Sequence, residues 1–217
     1  MDYVKIRLEN ISLEISGKKI LRNINLTLKE NNVYVFIGKS GSGKTSLLNI
    51  MNFLYTPTSG NVYYENKIIN FEDEEVISQL RNQEIAYFQQ ELTFIENMTI
   101  RENLNCFAKI KNVTLDLKLV DIYSKKLNII NLLDENISIL SGGERQRASF
   151  LKLLVLPANV VLIDEPTNNL DKENIFSILE GIKVMKENGK TVIIVSHSDV
   201  ILQVADSYFR MEDINES

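Results

Sequence analysis

Cysteine is nearly missing from this chain: Cys106 is the single one among 217 residues. That excludes an internal disulfide framework and most cysteine-based metal sites, and it fits a reducing compartment. With only three prolines and nine glycines against 44% hydrophobic residues, disordered and fibrous classes are excluded as well. No stretch approaches the roughly 20 consecutive apolar residues that a bilayer span requires. The start, Met1-Asp2-Tyr3-Val4-Lys5, is charged and then alternating, which predicts no signal peptide. The chain is therefore expected in the cytoplasm, where it can still dock on a membrane-embedded partner. An excess of positive charge is also lacking. The 24 Lys and Arg against 29 Asp and Glu leave a net charge of −5, which argues against a nucleic-acid partner. What remains is the profile of one large α/β domain.

Residues 3–9 alternate apolar and charged side chains as a half-buried strand does, and residues 24–29 alternate again. Asn31-Asn32 reads as a turn, because Asn tolerates positive φ. The unbroken run from Val33 to Ile37 predicts a strand buried on both faces, feeding a helix over about 43–52. Strands are expected at 61–64, 67–69 and 84–88, with an acidic helix over 73–81. Thr99-Ile100-Arg101-Glu102 is a capping box that opens a helix, and a second helix is expected over 117–133. Ser141 opens a further helix that Pro157 stops. After it come a buried strand at 160–163, a helix over 172–186 closed by Asn188-Gly189, a buried strand at 191–195, a short helix at 199–204 and a last strand at 207–211. This alternation predicts a mostly parallel sheet covered on both faces. The helical block interrupts it as an inserted lobe, giving a core of 1–91 and 136–217 and a lobe of 92–135.

Gly38-Lys39-Ser40-Gly41-Ser42-Gly43-Lys44-Thr45, with Ser46 following, satisfies every fixed position of G-x-x-x-x-G-K-[ST] between a buried strand and a helix. Glycines let the backbone wrap a phosphate while successive N–H groups converge on it. Lys44 is placed to reach the β and γ phosphates, and the Thr45 hydroxyl to hold Mg²⁺. Asp164 and Glu165 end a fully apolar strand, where an open parallel sheet has its ligand crevice. Asp164 is expected to bind Mg²⁺ directly or through water. Glu165 is expected to orient or deprotonate the attacking water, although acids also cap strand ends without further duty.

Leu140-Ser141-Gly142-Gly143-Glu144 contains a second capping box. Capping explains Ser141 and Glu144 but not the glycines between them, each of which costs about 1 kcal/mol relative to Ala in a helical turn. Open N–H groups at a helix start suit a phosphate. Since one nucleotide already has a complete loop, the second phosphate-seeking helix end predicts a second molecule's nucleotide, and hence a homodimer.

In this order along the chain, the phosphate loop, Phe88-Gln89, Leu140 to Glu144, Asp164-Glu165, Asn169-Leu170-Asp171 and His197 resemble the ATP-binding subunits of ABC transporters. The resemblance covers essentially the whole chain. It implies an α/β P-loop NTPase core of ABC ATPase type with an N-terminal antiparallel β subdomain and an inserted helical lobe. It also implies ATP and Mg²⁺ as cofactors, a second copy with ATP at the interface, and separate transmembrane permease subunits at the inner face of the membrane. By the same resemblance, Gln89 touches Mg²⁺ and the attacking water, and Glu165 is the catalytic base. His197 bonds the γ phosphate, Ser141 and Gly143 contact the partner's γ phosphate, and Asp171 links the two sites. The blander readings are that Gln89 is a polar strand end and Ser196-His197-Ser198 a helix-cap cluster. Leu80-Arg81, Met98 to Asn103 and Glu165 to Asp171 look most like an exporter branch that includes lipoprotein-release, macrolide-export and antimicrobial-peptide systems. A non-transport relative that signals through a membrane protein to cell-wall or cell-division enzymes would share nearly all of these features.

The pattern departs from the family at Ile15, which aligns with the aromatic residue that stacks on adenine. A branched aliphatic lacks the stacking contribution, which is worth about 1–3 kcal/mol where bases meet aromatic side chains. Nucleotide binding is predicted to be weaker or less adenine-selective than in relatives. Titrating ATP and GTP against the native chain and against Ile15→Tyr tests this: tighter ATP binding by the variant is expected, and unchanged affinity and selectivity refutes it.

Overall fold

The computed structural model describes residues 3–88, 94–168, 170 and 172–215. An antiparallel sheet is built from β1 (Val4–Ile15), β2 (Lys18–Lys29), β4 (Ser59–Tyr64) and β5 (Lys67–Ile68), in the order β2-β1-β4-β5. The two segments expected as strands at 3–9 and 24–29 prove to be parts of one long hairpin, turned at Ser16 and Gly17, both at positive φ. The sequence alternation fails in the middle because the register shifts there, between Leu8 and Ile11 and again between Ile11 and Leu13. Asn10 and Asn23 take positive φ at these irregularities, and the Asn10 N–H donates to Asn25 Oδ1 at 2.9 Å.

The second sheet is parallel throughout, with order β6-β7-β8-β3-β9. Its strands are β3 (Val33–Ile37), β6 (Ile85–Phe88), β7 (Val160–Asp164), β8 (Thr191–Ser196) and β9 (Ser207–Arg210). All five side chains of β3 are buried, and they divide by alternation. Val33, Val35 and Ile37 join a core with Phe150, Leu154 and Ile178 from helices α5 (Gly142–Val155) and α6 (Lys172–Glu187). Tyr34 and Phe36 join a second core with Leu47 and Met51 of α1 (Lys44–Met51) and with the inner face of the antiparallel sheet. The central sheet thus has apolar layers on both faces, as its unbroken apolar strands require.

A small helix α2 (Glu74–Gln83) starts at Asp73, whose side chain accepts from the Val76 N–H. Helix α3 (Ile100–Ile110) opens with the expected capping box at Thr99 and Glu102. Helix α4 (Leu117–Lys126) stops well before residue 133. Asn128 adopts φ 54°, the Ile129 N–H returns to the Ser124 carbonyl at 2.9 Å, and a separate 3₁₀ turn covers Ile130–Leu132. Ile100, Leu104, Val120 and Leu133 of this region lie in the same apolar core as the parallel sheet. At the C-terminal side the last strand ends at Arg210 and a short helix α7 (Met211–Ile214) follows, where only a strand was expected.

The end of α5 is closed by a buried ammonium: Lys190 donates to the carbonyls of Leu156 and Ala158 at 3.1 and 3.0 Å. Burial, with the Lys111 charge adding, lowers Lys190 to about 8, and the same causes lower Lys152 to about 8. In the unfolded chain both revert toward the ordinary lysine value of about 10.4, so between these pH values the unfolded state binds more protons. Stability is therefore predicted to rise as pH goes from about 8 toward 10. Urea unfolding across that range should show a rising midpoint, and Lys152→Met should flatten part of the rise; a flat or falling midpoint in the native chain refutes it.

Candidate functional site

The phosphate loop joins the end of β3, which is buried between two apolar cores, to the start of α1, which packs into one of them. Gly43 carries φ 94°, and a Cβ there would approach Leu21 Cδ2 to 2.8 Å and the Ile20 carbonyl to 3.1 Å, so only glycine fits. Gly43 stands at the N-cap of α1 and offers no side-chain cap, leaving the first helical N–H groups to an anion. Lys44 is buried and spans the loop, donating to the Gly38 carbonyl at 2.7 Å and the Lys39 carbonyl at 3.1 Å. Its Nζ lies 3.6 Å from Glu165 Oε1.

The two acids at the end of β7 have different environments. Burial pushes the Asp164 carboxyl above its ordinary range, a hydrogen bond from Thr45 opposes this, and the Glu165 charge adds to the rise. Asp164 Oδ1 is buried and has no hydrogen-bond partner. An orphaned carboxylate oxygen beside a threonine hydroxyl is a hard-oxygen donor pair that suits Mg²⁺, with phosphate and water completing the shell. No cluster of three or more His, Cys, Asp or Glu among the described residues could hold a metal.

Glu165 sits at φ 48°, a left-handed conformation that costs a non-glycine residue of order 1–3 kcal/mol. The neighbouring strand sustains it. The Glu165 N–H donates to the Val195 carbonyl at 2.9 Å, and Glu165 Oε2 accepts from the His197 N–H at 3.1 Å. The same Oε2 lies 2.9 Å from His197 Nδ1. The ends of β7 and β8 thus clamp one carboxylate between an ammonium and an imidazole.

These groups open onto a cleft of about 980 Å³. Gly38, Lys39, Ser40, Gly41, Gly43, Lys44, Thr45, Ser46, Asp164, Glu165 and His197 all line it, as expected from sequence. Ile15 does not: it is 43% exposed at the tip of the β1–β2 hairpin, whereas Lys18 and Ile20 line the cleft wall. Asn168, Arg210 and Glu212 are further lining residues that sequence reasoning missed. Asn168 could have been suspected from its place just after the strand acids, but Arg210 and Glu212 reach the cleft only because β9 pairs beside β3. Gln89 and Asp171 lie outside the described residues.

Ser141, Gly142, Gly143 and Glu144 form a separate feature, outside the cleft lining. Ser141 caps α5, with its N–H and hydroxyl bonded to Glu144 Oε2 at 2.8 and 2.7 Å. Those two bonds hold the Glu144 carboxyl below its ordinary range. A Cβ on Gly142 would meet nothing within 4 Å, so its backbone faces open space. Gly143 has an additional reason within the chain, since a Cβ there would come 2.9 Å from Asn174 Nδ2 on α6.

The ABC transporter family pattern matches residues 21–168. The chain is 31% identical over 217 residues to the macrolide export ATP-binding/permease protein MacB 2 of Yersinia pestis bv. Antiqua, covering 97% of this chain and 32% of that protein. It therefore spans about a third of the length of the macrolide-export relatives it matches. It is also 31% identical to the lipoprotein-releasing system ATP-binding protein LolD of Aquifex aeolicus, over 96% of this chain and 94% of the relative. The fold superposes on a dimeric post-hydrolysis state of the ATP-binding cassette MJ0796 bound to ADP and Pi, with TM-score 0.84, 27% identity and coverage of 96% and 94%. A strand-to-helix phosphate loop, a strained carboxylate at the neighbouring strand end and these likenesses give one answer: the chain belongs to the ABC transporter family, as an ATP-binding cassette.

Proposed function

We propose that this cassette works as a head-to-tail pair, closing on two ATP molecules and opening after hydrolysis. The stroke would power export or extraction of a peptide, lipoprotein or drug-like molecule through separate membrane subunits. The observation that carries this reading is the position of Ser141 and Gly142, exposed and open at the start of α5, outside the cleft that the same chain builds around its phosphate loop. A helix end of that kind serves a phosphate only when a second chain brings one to it. The relatives, a macrolide export protein and a lipoprotein-releasing system ATP-binding protein, support the choice of membrane work, and the dimeric neighbour supports the pairing. No helix among the described residues is long and apolar enough to cross a membrane.

Within one cleft, Lys44 and the loop N–H groups bind and orient the β and γ phosphates. Thr45 and Asp164 hold Mg²⁺, which when bound supplies charge compensation at the phosphates. The Glu165 carboxylate takes the proton of the attacking water, and it lines the cleft beside Lys44. His197 lies against Glu165 through Nδ1 and lines the same cleft as the phosphate loop. Gln89 orients the water, and Asp171 connects the two sites across the seam.

Lys44→Ala is predicted to abolish most nucleotide affinity, read by equilibrium titration. Glu165→Gln should retain ATP binding and lose about 10²–10⁴-fold in hydrolysis, as loss of a general base does. With ATP it should accumulate as a dimer in sedimentation velocity. A strictly monomeric Glu165→Gln chain under saturating ATP refutes the paired reading.

A further inference from the structure

Two features of this chain serve different nucleotides in the proposed pair: the α5 start, offered to a partner, and Glu165, which acts on the chain's own ATP. A single side chain joins them. Gln146, in the second turn of α5, donates from Nε2 to the carbonyl of Pro166, the residue that follows Glu165. Pro166 is buried and has no N–H, so this carbonyl is its only backbone polar group, and the Gln146 amide satisfies it. The receiving turn is stiff. Proline fixes its own φ, Glu165 is already held at φ 48°, and the Asn168 N–H closes the turn on the Glu165 carbonyl at 3.3 Å. Movement of α5 is therefore passed to the Glu165 peptide instead of being absorbed in a loose loop. The same stretch of α5 lies against α6, with Gly143 facing the Asn174 side chain.

We infer that Gln146 is a positioning residue that couples engagement of a partner's phosphate at Ser141 to the alignment of Glu165 in the same chain, so that the two ATP sites fire together. This rests on the paired reading above. Gln146 does not line the cleft; it acts through Pro166.

Gln146→Met keeps the length and removes the donor. Hydrolysis by the native chain is expected to depend on ATP with a Hill coefficient between 1 and the two-site limit, and the variant's coefficient should fall to about 1. Its kcat should fall with the loss of Glu165 alignment. ATP affinity of the isolated monomer and the thermal midpoint should stay near native values, which a merely structural role would not preserve. Gln146→Lys, which restores a donor, should recover cooperativity. If Gln146→Met does not fold, Gln146→Glu, isosteric with an acceptor in place of the donor, makes the same test; if neither folds, the residue is structural and the inference fails. Unchanged cooperativity and kcat in a folded variant also overturn it. Failure of Glu165→Gln to dimerise would instead remove the pairing itself, and it is read from a separate sample.

Discussion

The carboxylate of Glu165, held between Lys44 and His197, is the arrangement on which the rest of the site turns. Three parallel strands must end together for it to exist. β3 delivers the phosphate loop, β7 delivers the two acids, and β8 delivers both the carbonyl of Val195 and the imidazole of His197. The left-handed conformation of Glu165 is unfavourable in isolation, and its backbone and side-chain bonds to β8 offset the strain. Without β8 beside β7 the carboxylate would have no reason to face Lys44.

That convergence depends on packing far from the chemistry. β3 and β8 are fully buried, so their termini are set by apolar layers on both faces and not by the cleft itself. Phe36 on one face and Val35 on the other belong to different cores, which locks the strand against rolling about its axis. Apolar side chains packed at native density resist small displacements, so the loop after β3 inherits a fixed origin. Asp164 shows the opposite economy: a buried oxygen without a partner is expensive unless a ligand answers it, and its place beside Thr45 explains why such a group persists. Gln146 extends the same logic outward, since it ties the turn after Glu165 to a helix whose start is exposed.

Legibility in the sequence varied by element for identifiable reasons. The phosphate loop, the buried runs at β3, β7 and β8, and both capping boxes are local patterns, and each was readable where it stands. The β1–β2 hairpin was read only at its two ends, because bulges at Asn10 and Asn23 break the period-two signal. Helix α4 was read too long, because the apolar spacing continues past the left-handed residue Asn128 that stops the helix. The α7 turn after Arg210 carries no proline, glycine or capping residue to announce it. Ile15 was aligned by family position, yet Lys18 and Ile20 are the residues that line the cleft from that hairpin.

Chemical identity was therefore written in short contiguous stretches: a glycine-rich loop with its lysine, paired acids after an apolar run, and a glycine pair behind a serine cap. These depend on backbone conformation and on neighbours within a turn, which adjacent residues control. Distances between the stretches could not be read that way. The approach of His197 to Glu165, the reach of Gln146 to Pro166, and the entry of Arg210 into the cleft join residues separated by 32, 20 and more than 150 positions. Such contacts follow from strand order and sheet packing, because only the order β7-β8-β3-β9 brings those ends side by side.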